Sequence, residues 1–302
     1  MNQQNSARTA ILKEMQYRDI KVLHLEPTNV CQAKCPQCAR ETVGSFDSSK
    51  NVNISLDYVV DTLPLEFIQG LDKVFMCGSY GDPAANKEVY DIYKYFREVN
   101  PSIELGMNTN GGIRGASWWS ELGKLFSQGK NYVVFSIDGL KDTNHLYRVN
   151  VNFDKVIENA RAFIDSGGNA LWEMLVFKHN EHQVEECRQL SVEMGFSQFN
   201  KKVTRRIMKD GLQLPTKYAA PTPIQNPTKI SCHVLNEQSL YMAFTGKIQP
   251  CCWIGTHYYD DNVCMDTIDV TWGTSTPHPI CVKTCGVHGS CPSVFKQQWL
   301  ER

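Results

Sequence analysis

The sequence predicts an α/β protein, an open partial (β/α)6 barrel of the TIM type followed by a small cysteine-rich C-terminal module. Three observations carry this. Six short apolar, β-branched runs alternate with helical patterns as far as residue 207, the alternation stops at a proline-rich stretch, and seven of the twelve cysteines lie beyond it. Strands separated by helices imply right-handed crossovers and a parallel sheet. Six such units are too few to close an eight-stranded barrel.

The strands are expected at "IKVLHLE" (20–26), "KVFMCG" (73–78), "IELGMNT" (103–109), "YVVFSI" (132–137), "LWEMLVF" (171–177) and "KKVTRRI" (201–207). Helices are expected around 55–63, 86–98, 117–128, 153–166 and 181–194. In "FDKVIENARAFI", Phe153, Val156, Ile157, Ala160 and Ile164 recur at helical spacing and predict one apolar stripe. "LPTKYAAPTPIQNPTK" carries four prolines without a helical stripe and reads as a linker. The expected division is a barrel over 1–207, a linker over 208–231 and a module over 232–302.

The chain carries 31 basic and 32 acidic residues, a net charge of −1, which gives no reason to expect a nucleic-acid or anionic-lipid partner. "MNQQNSARTAILKEMQ" lacks a signal-length apolar core, and no later run approaches a membrane span. The expectation is a soluble, cytoplasmic protein. Twelve cysteines, irregularly spaced in 302 residues, do not read as a secreted disulfide scaffold. In a reducing compartment their use is metal binding.

Functional groups of parallel α/β folds gather at the C-terminal ends of the strands. Here "EPTNVCQAKCPQC", "GSYGDP", "NTNGG" and "SIDG" follow the first four strands in turn. "CQAKCPQC" places Cys31, Cys35 and Cys38 within eight residues. Three thiolates can hold a cubane iron–sulfur cluster by three of its irons and leave the fourth open. The competing readings are a zinc loop, for which only Cys35 and Cys38 form a C-x2-C pair, and ordinary buried thiols.

A C-x3-C-x2-C loop after the first strand of a partial barrel resembles the radical S-adenosylmethionine (SAM) superfamily. The resemblance implies a 4Fe–4S cluster whose open iron is chelated by SAM. Reductive cleavage of SAM would give a 5′-deoxyadenosyl radical that abstracts hydrogen from substrate. Gln37 departs from the aromatic or apolar residue common before the last cysteine. Tyr80, Gly81, Asp82 and Pro83 match the family's Gly-Gly-Glu-Pro segment, with Asp82 for the usual Glu, and imply contact with the SAM amino group. "TNG" and "SIDG…HLYR" likewise imply SAM contacts from Ser136, Asp138, Arg148 and Asn110, although hydroxyls and carboxylates at these places also serve as helix caps.

The C-terminal region resembles the auxiliary-cluster modules of the SPASM and twitch subfamilies. Cys232 is followed by "GKIQPC", ending at Cys251, and by "CVKTCGVHGSC" with Cys281, Cys285 and Cys291. No cysteine follows Cys291, so a twitch-like module with one auxiliary 4Fe–4S cluster is implied. Its ligands would be Cys232, Cys251, Cys281 and Cys285, with Cys291 able to replace one of the last pair. Zinc competes for four such thiolates. Cys77 and Cys187 read as packing thiols. An extended backbone would turn Cys252 away from a cluster held by Cys251. Cys252 and Cys264 are candidate hydrogen donors to a substrate radical, as in related epimerases.

The resemblance implies an electron donor such as a flavodoxin or ferredoxin, and a peptide or a small metabolite as substrate. Only about 19 residues precede the first strand, too few for a peptide-recognition domain, which keeps the metabolite open. The reading from another class is a non-catalytic metal-sensing or scaffold protein with a zinc-binding C-terminal module.

Overall fold

The structure, a computed structural model, describes residues 17–42, 51–203, 211–218 and 232–257. Among them, eight strands make one sheet: β1 (Val22–Leu25), β2 (Lys73–Met76), β3 (Glu104–Thr109), β4 (Tyr132–Ser136), β5 (Ala170–Val176), β6 (Gln198–Val203), β7 (Ser239–Met242) and β8 (Ile248–Gln249). Their order is β6-β5-β4-β3-β2-β1-β7-β8, and every neighbouring pair is parallel except β7–β8. From β1 to β6 each crossover adds the next strand on the same side, as a barrel grows. The described sheet stays open, with β6 and β8 at its edges.

The helices between strands are α1 (Ala39–Thr42), α2 (Leu56–Thr62), α3 (Leu65–Gly70), α4 (Val89–Val99), α5 (Ala116–Phe126), α6 (Asn144–Tyr147), α7 (Phe153–Asp165) and α8 (Val184–Met194). Two more, α9 (His233–Asn236) and α10 (Cys252–His257), flank β7 and β8. Side chains alternate between the two faces of each strand. On β5, Trp172, Met174 and Val176 are buried against the helices, whereas Leu171, Glu173 and Leu175 face inward and are half-buried. The inner face is therefore reachable by solvent on that side. It is also polar: Lys73 pairs with Glu104 at 2.6 Å and lies over the Tyr132 ring near the N-terminal ends, and Lys202 pairs with Glu173 farther up.

Two expectations shift. The sixth strand lies at Gln198–Val203 rather than 201–207, and residues 204–207 fall outside the described residues. Phe199, which supplies its outer contact by packing on Trp172 at 6.1 Å, precedes the β-branched run that suggests the later start. The buried stripe of α7 runs through Val156, Asn159, Ala160 and Phe163, with Phe153, Ile157 and Ile164 only partly buried. Phe163 takes the centre because Gly123 on α5 lets the two helices approach: a Cβ there would lie 2.5 Å from the Phe163 carbonyl oxygen.

The residues of β7 fall in the expected C-terminal module, yet the strand pairs with β1 over Val22–Leu25. Within 211–218, the segment read as linker is fastened to the barrel: Glu181 accepts hydrogen bonds from the Thr216 and Lys217 amides at 2.6 and 2.8 Å.

Candidate functional site

The loop after β1 is fixed by its own backbone and by the loops around it. Cys38 N donates to Cys35 O at 2.9 Å, Lys34 N donates to Val149 O at 3.0 Å, and Arg40 Nη1 donates to Cys31 O at 2.8 Å. The three thiols then meet the ends of three other strands. Cys38 Sγ lies 3.6 Å from Ser79 O after β2, Asn110 Nδ2 lies 3.6 Å from Cys31 Sγ after β3, and Arg148 Nη1 lies 3.9 Å from Cys35 Sγ after β4. Burial pushes the Cys31 thiol up to about 12, with Asp82 and the two neighbouring cysteines adding to it. Burial also raises Cys35, while Arg148 pulls it back.

The turn after β2 packs on this loop. Asp82 N donates to Val30 O at 2.8 Å, and a Cβ on Gly81 would lie 2.1 Å from Thr28 O. A Cβ on Gly78 would meet the Gly81 carbonyl oxygen at 1.5 Å, so the turn closes only with glycine there. Tyr80 is buried, its ring edge-on to Phe244, and Pro83 is buried at the start of a short 3-10 turn. The Asp82 carboxylate is taken up within the protein. It accepts from Thr109 Oγ1 at 2.9 Å, Asn110 N at 2.7 Å and Ala84 N at 3.0 Å, so it joins the β2 and β3 loops. Burial raises its pKa, opposed by these donors.

At β4 the carboxylate is again engaged internally. Ser136 ends the strand half-buried, and no described group hydrogen-bonds its hydroxyl. Asp138 is wholly buried; it takes Arg148 Nε at 2.6 Å and Leu175 N at 2.6 Å. Burial disfavours charge on Arg148, but Asp138 and Cys35 reverse this and hold it protonated above its ordinary value. Asp138 thus aims the guanidinium at the cysteine loop.

Of the C-terminal cysteines, Cys264, Cys281, Cys285 and Cys291 lie outside the described residues. Cys232 and Cys251 are half-buried, and Cys251 precedes α10. Cys252 opens α10 instead of continuing an extended strand, and is buried against Tyr241 of β7 and Ala243 just after it. Cys77 ends half-buried beside Val22 and Phe75 on the inner face, and Cys187 is fully buried in α8.

Sequence reasoning missed Glu26, Gln32 and Tyr241. Gln32 donates to Asn110 Oδ1 at 2.7 Å, bracing the amide that faces Cys31. Glu26 is fully buried beneath the β2 turn, accepting from Tyr80 N at 2.6 Å and from the Tyr241 hydroxyl. An acidic residue inside an apolar strand end, "HLEP", is the available signal.

Three thiols from one loop, two of them faced by N–H donors, are a donor set that suits sulfur carrying negative charge. Among the described residues no group of three His, Cys, Asp or Glu side chains comes together around a single metal ion. A cubane cluster makes a different demand, since each thiolate takes its own iron. The residues fit such a cluster.

A model of the radical SAM superfamily matches residues 25–190. Among solved structures, Streptococcus suis SuiB aligns with TM-score 0.57 at 14% identity, covering 85% of this chain and 66% of its own. SuiB bound to precursor peptide SuiA gives TM-score 0.58 at 15% identity, with 85% and 65% covered. Histidine-tagged anSMEcpe with bound AdoMet gives TM-score 0.57 at 16% identity, with 89% and 79% covered. At such identities the likeness is one of fold, and the chain spans about two thirds of SuiB's length. No curated relative matches. With the match covering more than half of the chain, and the cysteine loop meeting the strand ends as described, this protein belongs to the radical SAM superfamily.

Proposed function

We propose that this chain is a radical SAM enzyme of the SPASM/twitch type that abstracts hydrogen from a residue of a peptide or from a small metabolite. The single observation behind this is the meeting of Cys31, Cys35 and Cys38 with Ser79, Asn110 and Arg148 at one end of the sheet. When bound, a 4Fe–4S cluster held by these cysteines would supply the electron for reductive cleavage of SAM. The chain's own residues do the holding. The three cysteines take the cluster, Arg148, steadied by Asp138, faces the SAM carboxylate, and Ser136 faces the ribose. The backbone of Tyr80–Pro83 offers carbonyls to the amino group, while Asp82 and Asn110 lock the adjoining loops.

Cys232, Cys251, Cys281 and Cys285, with Cys291 able to replace one of the last pair, hold one auxiliary 4Fe–4S cluster in a module beginning near 232, after the barrel (1–207) and linker (208–231). A peptide substrate draws support from the SuiA-bound SuiB and from anSMEcpe with Kp18Cys peptide. A flavodoxin or ferredoxin is the electron donor. Cys252 or Cys264 returns hydrogen to the substrate radical if the outcome is epimerisation.

Anaerobic reconstitution with iron and sulfide, followed by reduction and addition of SAM, tests this reading. We expect 5′-deoxyadenosine from the wild type and none from Cys31→Ala, Cys35→Ala or Cys38→Ala. Full iron loading with no SAM cleavage would overturn it. Retention of zinc alone would favour the non-catalytic scaffold.

A further inference from the structure

Glu26 is a fully buried carboxyl near the mouth of the barrel, and the SAM-binding roles above leave it unused. It lies immediately after β1, where its own amide donates to Met242 O at 2.9 Å and so continues the β1–β7 ladder. One carboxyl oxygen accepts from Tyr80 N at 2.6 Å and Gly81 N at 3.4 Å, and the Ser79 amide also bonds this carboxyl. The other oxygen accepts the Tyr241 hydroxyl, from the strand that leads into Cys251 and Cys252. Three successive amides of one turn and a phenol from another part of the chain therefore share a single side chain. A buried amide without an acceptor is costly, so this turn depends on Glu26 for its shape.

The consequence is directional. With the turn's amides pointing inward to Glu26, the Ser79 carbonyl faces the cysteine loop, 3.6 Å from Cys38 Sγ, while the Gly81 carbonyl points back across the turn at Gly78. Gly78 and Gly81 admit no side chain, so the turn packs directly on itself and on the cysteine loop.

We propose that Glu26 is the positioning residue of the SAM site: its carboxyl orients the 78–83 turn, and through Tyr241 it makes SAM affinity depend on how β7 is seated. This rests on the reading of that turn as part of the SAM site. The C-terminal module then acts on the radical-generating site through this hydrogen bond, across a sequence separation of 215 residues, beside the packing of Phe244 on Tyr80.

The test uses the full chain, reconstituted anaerobically, with SAM as the probe. Glu26→Met keeps the side-chain length but removes both acceptor oxygens. Glu26→Gln keeps one acceptor for the Tyr80 amide and can donate to Tyr241. Tyr241→Phe removes only the link to β7. We expect the SAM dissociation constant to rise at least tenfold in Glu26→Met and severalfold in Tyr241→Phe, and to return within about threefold of wild type in Glu26→Gln. In the double variant Glu26→Met/Tyr241→Phe the Tyr241 change should add nothing further. Iron content should be unchanged, and amide exchange at 79–81 should quicken in SAM-free Glu26→Met. A Met variant that folds, loads iron and binds SAM within twofold of wild type would overturn the proposal. So would a Tyr241→Phe protein with wild-type affinity, which also covers the case in which Glu26→Met fails to fold. Failure of the wild type itself to bind SAM would overturn the functional reading, and this proposal with it. Wild-type binding with indifferent variants would overturn the proposal alone.

Discussion

A methyl group added at residue 81 would land 2.1 Å from the carbonyl oxygen of Thr28. This glycine admits the close approach of the cysteine loop. Gly81→Ala must push the two loops apart, at a cost of about 1–3 kcal/mol for such overpacking; urea denaturation of the iron-free protein reads it. A second residue-scale outcome concerns pH. Burial holds Glu26 protonated up to about 7, against 4.5 for a glutamate in water. Its contribution to stability is complete below pH 4.5 and declines as pH rises to 7, by up to about 3 kcal/mol. Burial acts oppositely on His24, holding it neutral down to about 4 against 6.5, so its contribution is complete above pH 6.5 and declines as pH falls toward 4. Glu26→Gln should therefore gain stability relative to wild type as pH climbs from 4.5 to 7, measured by denaturant midpoints across that range. The carboxyl is visible in the sequence. Its burial is not, because that depends on β7, which arrives more than 200 residues later.

At the scale of elements, the helices are legible because their apolar spacing follows the face they bury. The shifted stripe of α7 shows where that stops. Ile157 and Ile164 are as apolar as Phe163, but only Phe163 lies where Gly123 opens α5 to contact. Phe163 meets Trp119, Phe126 and Phe135 with ring centroids 6.3, 6.1 and 6.0 Å apart, so it joins two helices to β4. Phe163→Ala should cost about 3–5 kcal/mol, read from the unfolding midpoint at unchanged slope. The same limit moves β6. Gln198, Asn200 and Lys202 alternate with Phe199, Lys201 and Val203, and a polar inner face gives a strand no apolar run to announce it. Such a strand is recognised only when its partner is known, here β5 through the pairing of Leu171 to Gln198.

For the molecule as a whole, the thiols of the first loop are the link between metal and fold. With Cys31 at about 12, binding must displace protons that the protein alone retains. Anaerobic loading with iron and sulfide should raise the melting temperature by several degrees, by mass action on the folded state, and chelation should reverse it. Cys35→Ala should reduce the rise to what the auxiliary cluster contributes. Among the described residues no helix is long and apolar enough to cross a membrane. By itself the sequence determined the succession of the strands, the three-cysteine loop, the glycine turn, and the presence of Asn110 after β3 and of Ser136, Asp138 and Arg148 at and beyond the end of β4, because these are local: each belongs to the loop that follows its own strand. Only the tertiary structure decided that Asp82 and Asp138 engage their carboxyls inside the protein, that Glu26 lies under the turn, and that β7 closes over β1. Those facts depend on which loops the parallel sheet brings side by side, and hydrogen bonds between residues 28 to 215 positions apart leave no periodic trace along the chain.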